Sequence, residues 1–228
     1  MKDVKHLFFD LDHTLWDYDR SSQETLLAIY DEHQLVHSDV SAKEFLDTFY
    51  KINNHLWHLY NHGEIDREYI KKNRFAEIFN QLGVDPERSA QASHYFLHHC
   101  STKPYLIDHA KAALDYLKER YRLHIITNGF TDSQRNKLTY SGIEGYFEIV
   151  VTSESIGAKK PSPEIFIHSL AEAGAQVTES VMIGDNPTTD ISGAKEVGMT
   201  SVLFDPTGQK KSVADFEIQS LLELIKLF

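Results

Sequence analysis

A single cysteine in 228 residues leaves Cys100 without a partner for an intramolecular disulfide. No apolar run reaches the length of a membrane span, and no signal peptide precedes the first apolar strand, so the expected address is cytoplasmic. Positive charge is also scarce: 23 lysines and arginines face 34 acids, a formal net charge of −11. That deficit argues against a nucleic-acid polymer or an anionic membrane as partner, because both are bound through clustered cations. A small anion is still allowed, since net charge is screened beyond about 10 Å and a local cation outweighs it. Internal repeats and low-complexity segments are absent too. What the chain does have is 41% hydrophobic residues, enough for a substantial core in one domain, or in one domain plus an insertion.

Four short segments carry candidate chemistry, each where an apolar run meets its first polar residues. In FFDLDHTLWD, Asp10 and Asp12 stand two apart; in extended chain they point the same way, and Thr14 opens the turn beyond. Two carboxylates that close repel unless a cation or a shared proton lies between them. A divalent ion resolves the repulsion, and hard oxygen donors favour magnesium over zinc. In YRLHIITNGF the apolar run ends on Thr127, Asn128 and Gly129, a turn that offers a hydroxyl and backbone N–H groups to a phosphate oxygen.

In GAKKPSPEIF, Lys160 precedes Pro161, which keeps the lysine out of the helical region and presents it from an extended loop as a phosphate counter-charge. Lys159 competes for that role and lacks the proline constraint. Ser162 and Pro163 then read as a helix start. In SVMIGDNPTTD, Asp185 follows a strand and Asp190 comes five residues later; Asp185 can face Asp10 as a metal ligand, and Asp190 can support it or hold Lys160. Taken singly, each segment also reads as a capped turn or a solvated charge.

The order of elements frames these segments. Capping-box patterns at Ser21/Glu24 and Ser41/Glu44, an Asp66 start with a Gly83 stop, and Asp85-Pro86 mark four helices before Pro104. From residue 108 helices alternate with short apolar strands at 122–127, 147–152, 180–184 and 200–204, and a last helix is expected near 215–227 with Leu221, Leu224 and Ile225 on the core. The class is α/β: a doubly wound parallel sheet built from 1–16 and 104–228, with an all-helical domain inserted at 17–103.

Together the four segments resemble the haloacid dehalogenase superfamily, with Asp10-Leu11-Asp12-His13-Thr14, Thr127, Lys160 and Gly184-Asp185 through Asp190 in that family's order and spacing. The resemblance implies a Rossmann-like core with a cap, Asp10 as nucleophile and Asp12 as general acid and base. It further implies that Thr127, Asn128 and Lys160 bind the phosphoryl group, that Asp185, the Asp10 side chain and the Asp12 carbonyl hold Mg2+, and that Asp190 supports them. A carboxylate at Asp12 is unlike the superfamily's hydrolytic dehalogenases, and the chain is far shorter than its transport ATPases. Sugar phosphomutases and broad small-metabolite phosphatases stay open as alternatives.

In the second inserted helix Phe45, Phe49, Ile52, Leu56 and Leu59 form one apolar stripe, and Leu46, Tyr50, Asn53, Trp57 and Tyr60 a neighbouring one. Packing explains either stripe; an aromatic face with an amide would also suit a planar base. NNHLWHLYNHGEI with Arg74-Phe75, and TNGFTDSQ, resemble the bacterial pyrimidine nucleoside monophosphate phosphatases, which implies nucleoside monophosphate substrates with Asn53, Trp57 and Tyr60 as cap contacts. His55, His58 and His62, and separately His94 and His98, have helical spacings that could chelate zinc, but no matching set completes a tetrahedron. They read as partly exposed surface histidines. His13 alternates away from the nucleophile and reads as structural.

Overall fold

The computed structural model describes residues 3–32 and 39–228, so residues 1–2 of the expected core and 33–38 of the expected insertion lie outside the described residues. The chain divides into two compact units, Met1–Tyr18 with Pro104–Phe228, and Asp19–Lys103.

The first unit is organised by a six-stranded sheet in the order β3-β2-β1-β4-β5-β6. Its strands are β1 (His6–Phe9), β2 (Arg122–Thr127), β3 (Phe147–Thr152), β4 (Ser180–Gly184), β5 (Thr200–Phe204) and β6 (Phe216–Ile218), and every neighbouring pair is parallel. Crossovers between parallel strands need helices, so apolar side chains are required on both faces. Both β1 and β4 are buried along their whole length. On one face Phe8, Ile126, Val151 and Met182 pack with Ile165, Phe166 and Leu170 of the helix α8 (Pro163–Ala173). The chain winds outward from β1 in one direction through β2 and β3, and from β4 in the other through β5 and β6. β1 and β4 therefore flank the point where strand order reverses, and a crevice opens beyond their carboxyl ends.

The ranges of β2, β3, β4 and β5 match the expected apolar runs residue for residue. Two other expectations need correction. The segment near 215–227 starts as β6, whose Phe216 pairs with Val202, and only Leu224–Leu227 is α-helical. β-favouring Phe216 and Ile218 find an open sheet edge, and that pairing outweighs local helical spacing; Leu221 and Leu224 are still fully buried. The first helix of the second unit begins at Tyr18, not after Ser21. Ser21 lies inside it, where its carbonyl accepts from the Thr25 hydroxyl at 2.8 Å.

The second unit holds α1 (Tyr18–Glu32), α2 (Ala42–Asn61), α3 (Arg67–Leu82) and α4 (Ser89–Cys100). Ser41 and Asp66 cap α2 and α3 by accepting from the Glu44 and Tyr69 amides, and Gly83 closes α3 at φ +67°, which a side chain would resist. The stripe of Phe45, Phe49, Ile52 and Leu56 is buried. Phe49 lies 5.0 Å from Phe96 and 5.9 Å from Phe75 between ring centroids, a spacing typical of stabilising aromatic pairs.

At the opposite end of the sheet from the crevice, His6 Nδ1 and His124 Nε2 lie 3.0 Å apart in the buried layer. Burial lowers the pKa of both rings, that of His124 to about 4, so His124 stays neutral in the folded chain through the range where an ordinary histidine gains its proton. The unfolded chain protonates them below about 6.5. Stability is therefore fully present above that pH and falls as pH drops toward 4, by up to about 1.4 kcal/mol per pH unit for each extra proton bound on unfolding. Because the raised pKa of the Asp10 carboxyl acts in the opposite sense, the histidine contribution is read as a difference: between pH 7 and pH 5 the wild type should lose melting temperature relative to His124→Leu.

Candidate active site

β1, β2 and β4 bring their carboxyl ends side by side: Phe9 is level with Ile125 on one side and with Ile183 on the other. Residues just past those positions converge without any sequence proximity. Asp10, Asp185 and Asp190 place carboxylate oxygens within 4.8 Å of one another, the one such group of potential metal ligands among the described residues.

Lys160 is the cation in this cluster, and Lys159 is not. Its ammonium donates to Asp10 Oδ1 at 2.6 Å and the Ile126 carbonyl at 2.7 Å, and pairs with Asp190 Oδ1 at 2.7 Å. Three N–H donors thus meet three protein acceptors. Of the two roles open to Asp190, it takes the one of holding Lys160. The lysine's three hydrogens are engaged, and it is the buried counter-charge of two carboxylates. The loop that presents it, with a cis Lys160-Pro161 peptide, is fixed by Asn128, whose side chain accepts from the Lys160 N–H at 2.8 Å and donates to the Lys160 carbonyl at 2.9 Å. Asn128 therefore orients Lys160 through its amide. Ser162 starts α8, but its hydroxyl donates to the Glu164 carboxylate instead of receiving a backbone N–H.

Electrostatics follow from this packing. Burial pushes the Asp10 carboxyl up, to about 8, with Asp190 and Asp185 adding to the rise and Lys160 opposing it. Burial and then Asp190 likewise raise Asp185, against Lys210, whose ammonium lies 3.0 Å from Asp185 Oδ2 and 2.7 Å from its carbonyl. Burial alone would lower Lys160, but Asp10 and Asp190 outweigh it and raise the lysine, so it stays charged. Gly184 is required where it stands: a Cβ there would lie 2.2 Å from Asp190 Oδ2, displacing the carboxylate that anchors Lys160.

Asp12 differs from Asp10. Its side chain is 24% exposed, and although burial raises its pKa, Lys137 and then Gln134 overcome that and hold it low. Lys137 and Gln134 come from α6 (Thr131–Tyr140); neither was legible as a site residue, although their three-residue spacing on a helix opening just after Thr127-Asn128-Gly129 was a usable signal. Lys210 left no signal at all. Thr127 is buried and its hydroxyl accepts from the Gly129 N–H at 3.0 Å, which leaves its own proton to donate. His13 is exposed with φ +62°, a left-handed turn residue rather than a ligand.

In the second unit, Asn53 and Tyr60 are buried. Asn53 Oδ1 accepts from Arg74 Nη1 at 3.0 Å, and Trp57 meets Tyr60 edge-on at 5.3 Å between ring centroids. The Asn53 carbonyl thus serves internal packing, because a buried guanidinium needs an acceptor. His55, His58, His62, His94 and His98 are exposed. His62 Nδ1 and His98 Nδ1 lie 2.8 Å from the His58 and His94 carbonyls, so they form backbone contacts of the surface and no three-ligand cluster.

A parallel sheet with two acids past β1, a hydroxyl past β2, a buried lysine and a further pair of acids past β4 defines a hydrolase site of one superfamily. The chain belongs to the haloacid dehalogenase-like hydrolases, whose family model matches residues 7–204. It is 29% identical to pyrimidine 5'-nucleotidase PynA of Streptococcus pneumoniae, over 97% of this chain and 93% of that protein. Against pyrimidine 5'-nucleotidase YjjG of Escherichia coli it is 29% identical, over 86% and 83%. The magnesium-bound crystal structure of YfnB from Bacillus subtilis superposes with a TM-score of 0.89 at 24% identity, covering 98% of both chains, and so shares the fold. Among the described residues no helix is long and apolar enough to cross a membrane.

Proposed function

We propose that this hydrolase removes phosphate from small phosphomonoesters, nucleoside monophosphates foremost, through an aspartyl-phosphate on Asp10. The observation that carries the reading is the division of labour between two carboxylates two residues apart. Asp10 is buried against Lys160, whereas Asp12 is partly exposed and ionised. A buried carboxylate with a fixed counter-charge suits attack on phosphorus, forming the Asp10 Oδ–P bond as the ester P–O bond breaks. Asp12, partly exposed, takes up a proton from solvent as the substrate dianion binds beside it and gives that proton to the departing oxygen. In the second half it takes one from the water that attacks the aspartyl-phosphate. Its proton affinity rises when a phosphoryl dianion adds negative charge nearby. Thr127 has a hydroxyl proton for a phosphoryl oxygen, and the lysine charge favours the crowded anion.

The donor set also fits Mg2+. Asp10 and Asp185 offer only oxygen, and both are driven toward the neutral acid by burial and neighbouring carboxylates, a penalty that a hard divalent cation would remove. Asp10, Asp185 and the Asp12 carbonyl would hold it; when bound it would neutralise charge on the transferring phosphoryl group.

The nucleotide preference draws on the likeness to the two pyrimidine 5'-nucleotidases, and Trp57 is the proposed base contact in the helical unit. With magnesium, a panel of phosphomonoesters should show pyrimidine deoxynucleotides hydrolysed with higher kcat/KM than hexose phosphates, by roughly 5- to 150-fold if a stacked base contributes about 1 to 3 kcal/mol. EDTA should stop turnover and magnesium should restore it. Magnesium should also raise the melting temperature of the wild type and do so less for Asp185→Ala. Preference for sugar phosphates would instead support a broad metabolite phosphatase, and activity after exhaustive chelation would reject the metal.

A further inference from the structure

Lys137 and Gln134 stand one helical turn apart on α6, and both reach the carboxylate of Asp12. Lys137 Nζ lies 2.6 Å from Oδ1 and 2.8 Å from Oδ2, and Gln134 Nε2 donates to Oδ2 at 2.8 Å. A lysine side chain ordinarily keeps much rotamer freedom, but this one is 9% exposed, with its ammonium 4.7 Å from the Trp16 ring centroid, a cation–π distance. Gln134 is fully buried. Its amide occupies space that only a glycine at 129 leaves open, since a Cβ there would lie 1.4 Å from Gln134 Nε2. The amide's Oε1 is buried without a hydrogen-bond partner, so the contact with Asp12 is the polar interaction that holds this side chain.

α6 is itself anchored at its first turn. The Thr131 N–H donates to Glu154 Oε2 at 2.7 Å, and the Thr131 and Thr152 hydroxyls lie 2.7 Å apart. A carboxylate held from a rigid helix keeps its orientation better than one on a loop. Two of the three hydrogen bonds fall on Oδ2 and one on Oδ1, which makes Oδ1 the oxygen with room for a further partner.

From this arrangement we infer that Lys137 and Gln134 are positioning residues, which fix the Asp12 side chain so that Oδ1 meets the leaving-group oxygen. The inference rests on Asp12 as the proton donor of the proposed reaction. Protonation matters most for a poor leaving group and little for a stabilised phenolate. The test is therefore single-turnover release of the leaving group from glycerol phosphate and from p-nitrophenyl phosphate, in wild type, Lys137→Met, Lys137→Arg and Gln134→Leu.

Lys137→Met should slow glycerol release by about 10- to 100-fold, a part of the 100- to 10,000-fold that acid–base help typically contributes, with KM little changed. Nitrophenol release should slow several-fold less, Lys137→Arg should recover much of the loss, and Gln134→Leu should show the same leaving-group dependence more weakly. Equal losses on both esters, or none, would overturn the inference. A crystal structure of Lys137→Met supplies a readout independent of activity: the Asp12 carboxylate should leave its wild-type orientation, and finding it unmoved would also overturn the inference. A wild type inactive on both esters would instead count against the phosphatase reading, with the position of Asp12 in that crystal still deciding the role of Lys137.

Discussion

Asp10→Asn is expected to lower phosphate release by about 10,000-fold or more, the scale on which loss of a nucleophile disables an enzyme, while the protein becomes no less stable. An amide cannot form the acyl phosphate, yet it is close in shape and carries no charge to desolvate. The sign of the stability effect follows from the raised pKa. Asp10 titrates near 8 in the folded chain against 3.8 for an ordinary aspartate, so without added magnesium its ionisation opposes folding progressively as pH rises from about 4 to 8. The melting temperature of the variant should equal or exceed that of the wild type at pH 7 to 8, and the two should converge toward pH 4. Magnesium should stabilise the wild type more than the variant. Appreciable turnover by pure Asp10→Asn protein would remove Asp10 as nucleophile, and a lower melting temperature across that range would contradict the electrostatic account.

Lys160→Met should have the largest combined effect. The side chains are of similar length, but methionine leaves Asp10 and Asp190 facing each other in a buried site where both had shared one ammonium. Removing one partner of a buried ion pair typically costs about 3 to 5 kcal/mol, which in a chain of this size corresponds to a fall of roughly 6 to 20 °C in melting temperature. Activity should fall with it, because the counter-charge beside the nucleophile is gone. The loss of stability should shrink in acid, where the Asp10 carboxyl is protonated and needs no cation. Melts of wild type and Lys160→Met between pH 4 and 8 provide the check, and a gap that is constant with pH would mean that packing rather than charge sets the effect.

Much of the core was legible because its strands are buried on both faces. Leu123 to Thr127 and Val181 to Gly184 are continuous apolar runs that stop on turn-forming residues, and for a parallel sheet that pattern leaves little freedom. The same local logic identified Ser41, Asp66 and Gly83 at helix ends, where a capping side chain or a left-handed glycine acts within a few residues. It failed at Ser21, since an identical capping pattern can lie inside a helix that tertiary packing extends toward its N-terminus. It failed again at Phe216–Ile218, where an open strand edge more than a dozen residues away decided between helix and strand.

The site divides along the same line. Asp10, Asp12, Thr127, Lys160, Asp185 and Asp190 could be named from sequence because each sits where an apolar run ends, and the sheet must gather such ends in one crevice at the switch between β1 and β4. The roles of those residues depended on distances that no linear spacing encodes. Only the folded chain set Asp190 and the Ile126 carbonyl on Lys160, turned the Asn128 amide onto the Lys160 backbone, brought Arg74 to Asn53, and placed Lys210 beside Asp185. It also made Asp12 the partner of Lys137 and Gln134, residues 125 and 122 positions away. The sequence by itself determined which chemical groups lie at the strand ends, because burial and backbone periodicity act locally; the tertiary structure decided which of those groups share a proton, a charge or a hydrogen bond, because such interactions act over a few ångströms of space whatever the separation along the chain.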